Sequence, residues 1–301
     1  MMIGLYFEAF VIGVATGAVY AIVAMGFNLV FGVLNVFNFA FGAVMMVATY
    51  GALLIFRFVT DSFWLSCLFG LAVATAVGLV VERVAVRPLK GNQWTTAVAT
   101  VGAAFFLENL IAFVTRPTPQ DFPRPIESVT FYEIVARIEI SNLQIVLVLL
   151  SVGLMLAVVG FLRFTSLGIS IRVVGQSPDI AKSVGIDVQR VVVWTFAISS
   201  AIGGAAGIIN SVAYSSTYPY VGTFLGLKGI VILIVAGVGN MRGALAVGLV
   251  LGLLESYAVI LGDPNYRDIV AYGGLVLILA FRPGGLFGEI GRASRSDSIQ
   301  A

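Results

Sequence analysis

Between Glu8 and Arg57 the chain runs for 48 residues without a charged side chain. As one helix that run would be ~72 Å long at 1.5 Å per residue, whereas the hydrocarbon core of a bilayer is about 30 Å thick. The run has to fold back. The sequence offers one place for it, Gly32 to Gly42, where Asn35 and Asn38 interrupt the apolar pattern. Spans are therefore expected near 9–31 and 38–56. Further apolar segments follow at about 62–82, 94–115, 142–162, 191–213, 225–240, 243–261 and 266–281, each bounded by charge or by Pro and Gly. This gives eight or nine crossings, because 225–240 has only 16 residues and is either a full span or a half-helix.

Composition fixes the class. Hydrophobic residues make up 59% of the chain and charged ones 11%, against about 25% charged in a soluble domain. The reading is an all-α, polytopic transmembrane helical bundle with some broken or short helices, formed by one domain over 1–290 and followed by a disordered tail, 291–301. An ordinary soluble enzyme, a coiled coil and a disordered chain are excluded. With no His and a single Cys, Cys67, the chain has no His/Cys metal site, no Ser-His or Cys-His triad and no internal disulfide. No catalytic residue, metal or cofactor is expected. A net charge of +2 is too small for a nucleic-acid partner. There is no G-x-x-x-x-G-K-[ST] phosphate loop, so any ATP-driven step requires another subunit.

The basic residues orient the chain in a lipid bilayer. Arg83, Arg87 and Lys90 follow the third span, Arg163, Arg172, Lys182 and Arg190 lie between the fifth and sixth, and Arg282, Arg292 and Arg295 follow the last. By the positive-inside rule these are cytoplasmic, which places the N-terminus outside and the C-terminus inside. The loop 116–141 balances Arg116, Arg124 and Arg137 with Asp121, Glu127, Glu133 and Glu139, and is external. Alternation of Tyr132, Ile134, Ala136, Ile138 and Ile140 in that loop suggests a short extended segment on the membrane surface. The N-terminus lacks a basic n-region and a cleavage site, so the first apolar run is expected to stay as an anchor.

Three ionisable residues fall at membrane depth: Glu108, Lys228 and Glu255. Each is expensive to insert, by about 2.5–3.5 kcal/mol at a helix centre, and so faces protein or water. Glu108 and Lys228 either line a polar pathway or sit near span ends and snorkel. Glu255, deeper in its segment, is the better pathway candidate, and a proton-driven carrier would use Glu255 or Glu108 as its proton site. Asn35 and Asn38, beside the break, are expected to line a pathway for a small polar solute, since amides hydrogen-bond such a solute without holding it as an ion pair would. Asn28 and Asn109 are assigned to helix contacts, and most of the Gly-rich runs to close packing. In the long loop, Ser177-Pro178-Asp179 supplies an N-cap, a Pro in the first turn and an acid, and Gly185 a stop. The expected helix, near 178–184, carries Ile180, Ala181 and Val184 on one face, a docking element for a soluble partner.

Several stretches also resemble one family in the same order along nearly the whole chain. They are Asn38-Phe39-Ala40-Phe41-Gly42, Val81-Glu82-Arg83-Val84-Ala85-Val86-Arg87-Pro88, Ala181-Lys182-Ser183-Val184-Gly185-Ile186, Tyr218-Pro219-Tyr220-Val221-Gly222 and Arg282-Pro283-Gly284-Gly285-Leu286-Phe287-Gly288. They look like the branched-chain amino-acid ABC-importer permeases, closest to the first of the two permease subunits. The resemblance implies a bacterial inner-membrane importer assembled from this chain, a second homologous permease, two ATP-binding cassette subunits and an external solute-binding protein. Gln176, Ser177, Asp179, Ile180, Ala181, Val184 and Gly185 would then form the helix that couples to the ATPase. Asn35, Asn38, Phe41, Glu108, Lys228 and Glu255 are the pathway candidates. Phe41 stands where the family pattern usually has His, which points away from a polar role there and to a different solute. The competing reading is a stand-alone secondary carrier.

Overall fold

The computed structural model describes residues 2–89, 92–115, 117–125, 131–133, 139–263, 266–282 and 284–287. The expected disordered tail, 291–301, lies outside them, as do Ile134, Ala136 and Ile138 of the expected surface segment. Eleven α-helices are present among the described residues: α1 (Met2–Leu34), α2 (Ala40–Phe58), α3 (Phe63–Val81), α4 (Gln93–Thr115), α5 (Asn142–Phe164), α6 (Ser166–Gln176), α7 (Pro178–Ser183), α8 (Val188–Tyr214), α9 (Val221–Ala236), α10 (Met241–Leu261) and α11 (Tyr266–Phe281). Four short strands accompany them: β1 (Gln120–Asp121), β2 (Phe131–Glu133), β3 (Glu139–Ser141) and β4 (Ser216–Thr217). β1 pairs antiparallel with β4, and β2 with β3. Among the described residues seven helices are long and apolar enough to cross a membrane, so the chain is a multi-pass, all-α membrane protein. Seven of the nine segments expected from sequence correspond to these helices, and the other two correspond to the shorter α9 and α11.

The largest difference in extent is α1, which begins at Met2 and passes through Glu8. A charge limits how much of a helix lipid can cover, but the backbone hydrogen bonds continue past it. Two local elements had no counterpart in the sequence reading. Thr165 caps α6, its hydroxyl accepting from the Gly168 N–H at 3.1 Å, and a π-helical turn (Glu82–Val86) carries the chain out of α3.

Small residues set the packing. Gly13 and Gly17 on α1 face α10, where Gly248 lies against Ala21 and Gly252 against Gly17. Side chains there would overlap the opposing backbone, so the two helices lie antiparallel at close range. α3 buries Ser66, Gly70, Ala74, Gly78 and Val81, a stripe of mostly small residues at helical spacing. α4 reverses the soluble pattern: its buried residues are Thr96, Thr100 and Glu108, while Trp94, Phe105, Phe106 and Phe113 are exposed. In lipid that is the stable arrangement, because polar groups have no partner outside the protein.

α6 and α7 lie at one end of the bundle, where Gly175 meets the backbone of Gly32 near the end of α1. α2 begins within the bundle. Phe41, in its first turn, packs on Gly26 of α1 and on Gly203, in the middle of α8. Residues 35–39 lead from the end of α1 back to that level. Asn35 makes the turn with φ 54°, a left-handed conformation open to Asn, and its N–H bonds Phe31 O at 2.7 Å.

Candidate functional site: two helix starts and a buried ion pair

α9 shares the property of α2, for a different reason. After α8 ends at Tyr214, Ser215 takes a left-handed conformation (φ 52°) and the chain turns back in extended form. Thr217 is fully buried and bonds Thr49 hydroxyl to hydroxyl at 3.0 Å. Thr49 lies nine residues inside the end of α2, ~13 Å along that helix. Pro219 follows, and helix resumes at Val221. The segment expected at 225–240 is helical from Val221 to Ala236, after the extended Ser216–Thr217, and its 16 residues make it shorter than the seven helices long enough to cross a membrane.

The starts of α2 and α9 meet. A methyl group on Gly222 would overlap the carbonyl of Gly42, and one on Gly42 the carbonyl of Gly222, so neither position admits a side chain while the backbones stay this close. Beside this junction Glu108 of α4 is buried and accepts a hydrogen bond from the Thr223 hydroxyl. Thr100, one face up α4, bonds the N–H of Phe39 at 3.2 Å. Asn38 is 7% exposed and its Oδ1 has no partner among the described residues. Tyr220, Thr223, Phe224 and Leu227 form an exposed face on the first two turns of α9.

Further along α9, Lys228 meets Glu255 of α10. Its Nζ lies 2.9 Å from Oε1 and 3.1 Å from Oε2, and donates to the Tyr20 hydroxyl at 3.1 Å. Tyr20 in turn donates to Glu255 Oε2 at 2.7 Å. Asp268 of α11, itself well exposed, reaches the ammonium at 3.4 Å. The carboxylate accepts from two donors and the ammonium is shared by two acids and a phenol, which is how buried charges are kept satisfied. The cluster ties α1, α9, α10 and α11 together and carries a formal charge of −1.

The candidate residues therefore separate. Glu108 and the Asn38–Phe41 turn gather at the junction, while Lys228 and Glu255 form a second cluster about five residues, ~8 Å, further along α9. Asn35 is exposed at the end of α1 and joins neither. The snorkelling alternative for Lys228 is overturned: at the middle of α9 and 8% exposed, it turns inward to Glu255. Glu108 does not reach an end of α4 either. Phe41 is 1% exposed and packs on Phe27 with ring centroids 4.5 Å apart, so it fills space between α1 and α8. Tyr20, Asp268 and Thr223 were missed; nothing near each of them in the sequence marks it as a partner of a distant charge.

At the α6–α7 end the expected short helix is α7. Ser177 accepts from the Ile180 N–H at 3.4 Å, Gly185 takes φ 81°, and Asp187 caps α8. Ile180 and Val184 are 62% and 64% exposed. Ala181 is a correction. It is fully buried and belongs to the core of its own chain, because the face expected to point outward is split, with Ala181 turned toward the bundle. Gln176 and Asp179 are exposed.

Comparison with known proteins places the sequence in a family. The family model described as "Branched-chain amino acid transport system / permease component" matches residues 9–279. The permease LivH of the high-affinity branched-chain amino acid transport system of Escherichia coli K12 is 29% identical over 288 residues, covering 92% of this chain and 94% of that protein. BraD of Pseudomonas aeruginosa, also named a high-affinity branched-chain amino acid transport permease, is 29% identical over 295 residues, 94% and 96% of the two chains. Among solved structures, PsaBC from Streptococcus pneumoniae in complex with Fab aligns over 96% of this chain at 11% identity and a TM-score of 0.48. A family-model match over residues 9–279 makes this chain a member of the branched-chain amino acid transport permease family.

Proposed function

We propose that the chain is the membrane-spanning permease subunit of an ATP-driven importer that moves a small polar solute, a branched-chain amino acid or a related amide, urea or organic acid, across a bacterial inner membrane. One observation carries this reading. The face formed by Tyr220, Thr223, Phe224 and Leu227 leaves the start of α9 uncovered beside its junction with α2. Irregular backbone at membrane depth is stable only against protein or water, so this face lines an aqueous pathway, a partner subunit, or both. A second homologous permease closing over it would form the pathway between the two chains, with Glu108 and Asn38 beside it.

Energy would enter at the opposite site. Residues 176–187 form the coupling element, with Ile180 and Val184 presented to one of two ATP-binding cassette subunits and Ala181 anchoring the helix to the bundle. Its displacement passes to α8 through the Asp187 cap, and to the π-helical turn after α3 through Gln189, whose amide donates to the buried Glu82 carboxylate at 3.3 Å. Tilting of the paired permeases then opens the pathway inward, and an external binding protein delivers the solute. In this orientation the N-terminus is outside, α7 is cytoplasmic, and residues 1–290 act as one permease domain. Because capture belongs to the binding protein, the pathway needs only weak sites, consistent with Lys228 and Glu255 neutralising each other.

The test is uptake by the reconstituted complex. Ile180→Asp, on the exposed face, is expected to leave the permease folded and to abolish solute-stimulated ATP hydrolysis. Ala181→Asp is expected to prevent folding. Uptake by the chain alone, without nucleotide-binding subunits and insensitive to vanadate, would overturn the proposal in favour of a secondary carrier.

A further inference from the structure

The two clusters above leave unused an apolar groove of ≈ 180 Å³ between α9, α10 and α11. Val235, Val250, Leu254, Val270 and Ile278 are among its lining residues, and its surface is almost wholly apolar. The turn after α11 borders one end: Gly285 takes φ 81°, the Leu286 N–H bonds Val235 O at 2.7 Å, and Asn240 donates to Phe287 O at 3.1 Å. Along α10 the lining runs from Ala246 to Leu254, and along α11 from Val270 to Ile278, ~12 Å in each case.

Charge marks that same end. Arg242 lies four residues before Ala246 and Arg282 four residues after Ile278, so each falls on the groove-facing side of its helix line, about one turn (~6 Å) beyond the lining. The helical hydrogen bonding of α11 extends to Arg282, whose N–H bonds Ile278 O at 2.7 Å. Both arginines are exposed, and neither has an ion pair among the described residues. An apolar slot at membrane depth ending at two free guanidinium groups has the polarity of one ligand class, an acyl chain joined to an anionic head.

We infer that this groove binds an anionic phospholipid from the leaflet at the α6–α7 end, one acyl chain lying between α10 and α11 and the phosphate held by Arg242 and Arg282. The inference rests on membrane insertion and not on the transport reading, so its test reads lipid directly. The purified full chain, equilibrated with equal amounts of phosphatidylglycerol and phosphatidylcholine and then washed, is examined by native mass spectrometry. Wild type is expected to retain one phosphatidylglycerol. Arg242→Gln/Arg282→Gln should lower that retention at least tenfold. Gly274→Leu fills the groove from a position where a Cβ meets nothing within 4 Å, so it tests the slot without forcing the fold apart. It should lower retention of both lipids, with helical content unchanged by circular dichroism. Equal retention of the two lipids by wild type, or loss only in the arginine variant, would overturn the inference, the latter leaving surface attraction alone. Displacement of the retained phosphatidylglycerol by free glycerol phosphate would overturn it too, as would a dimer of the chain that retains no lipid in the same spectra.

Discussion

Replacing Lys228 by Met removes the cation from a site where its partner stays buried. Glu255 is 1% exposed, and the Lys228→Met chain leaves it with the Tyr20 hydroxyl alone, while Asp268 loses its cation too. At 2.9 Å and an effective dielectric of about 20, the Lys228–Glu255 attraction is ~6 kcal/mol, most of it offset by the cost of dehydrating both ions. Removing one partner exposes that cost, and breaking such a pair typically destabilises by about 3–5 kcal/mol. Glu255→Gln should be milder, about 1–3 kcal/mol, because Lys228 keeps Asp268 at 3.4 Å and the new amide oxygen still accepts from Tyr20. Lys228→Met/Glu255→Gln removes both charges and keeps the Tyr20 bond, so it should be more stable than Lys228→Met alone by at least about 2 kcal/mol. Unfolding in mixed micelles, followed by circular dichroism across a denaturing-detergent titration, gives the four free energies of the cycle. Additivity of the two single changes to within about 0.5 kcal/mol would refute the idea that these groups stabilise the bundle as a pair.

Three further expectations concern other sites. Gly222→Ala should cost about 1–3 kcal/mol in the same titration by pushing the starts of α2 and α9 apart, whereas Gly153→Ala, in open space on α5, should be neutral or stabilising. Thr223→Val should cost about 1.5–3 kcal/mol by leaving the Glu108 carboxyl without its donor, and Thr223→Ser should restore the loss. Ser177→Ala removes the cap of α7, so hydrogen exchange at the Ile180 amide should quicken about fivefold, the equivalent of ~1 kcal/mol, with no change in the transmembrane helices.

Much of the framework was legible because it is local. The break near Asn35 to Asn38, the Ser177 cap and the Gly185 stop each follow from the conformations their own side chains favour, and each appears where the residues indicated. α6 escaped notice although Thr165 followed by Ser166 was a usable start signal, because the basic residues around it read as a loop. Ala181 was misplaced since a six-residue helix has too few turns for periodicity to tell its buried side from its exposed one. The candidate site was legible as a list of residues and not as an arrangement: Phe41 and Glu108 stood together among the pathway candidates, and packing made one a filler and the other a hydrogen-bonded acid.

By itself the sequence determined that this chain lives in lipid, how many apolar segments it has, and where the polypeptide turns, because hydropathy and turn chemistry act over a few consecutive residues. Only the tertiary structure decided that Lys228 answers Glu255, 27 positions away, and Tyr20, 208 positions away, and that two helices start face to face inside the bundle. Those outcomes depend on which helices lie side by side. In a membrane that choice is made by how closely small residues let backbones approach and by the need of every buried polar group for a partner, and both are properties of the assembled bundle.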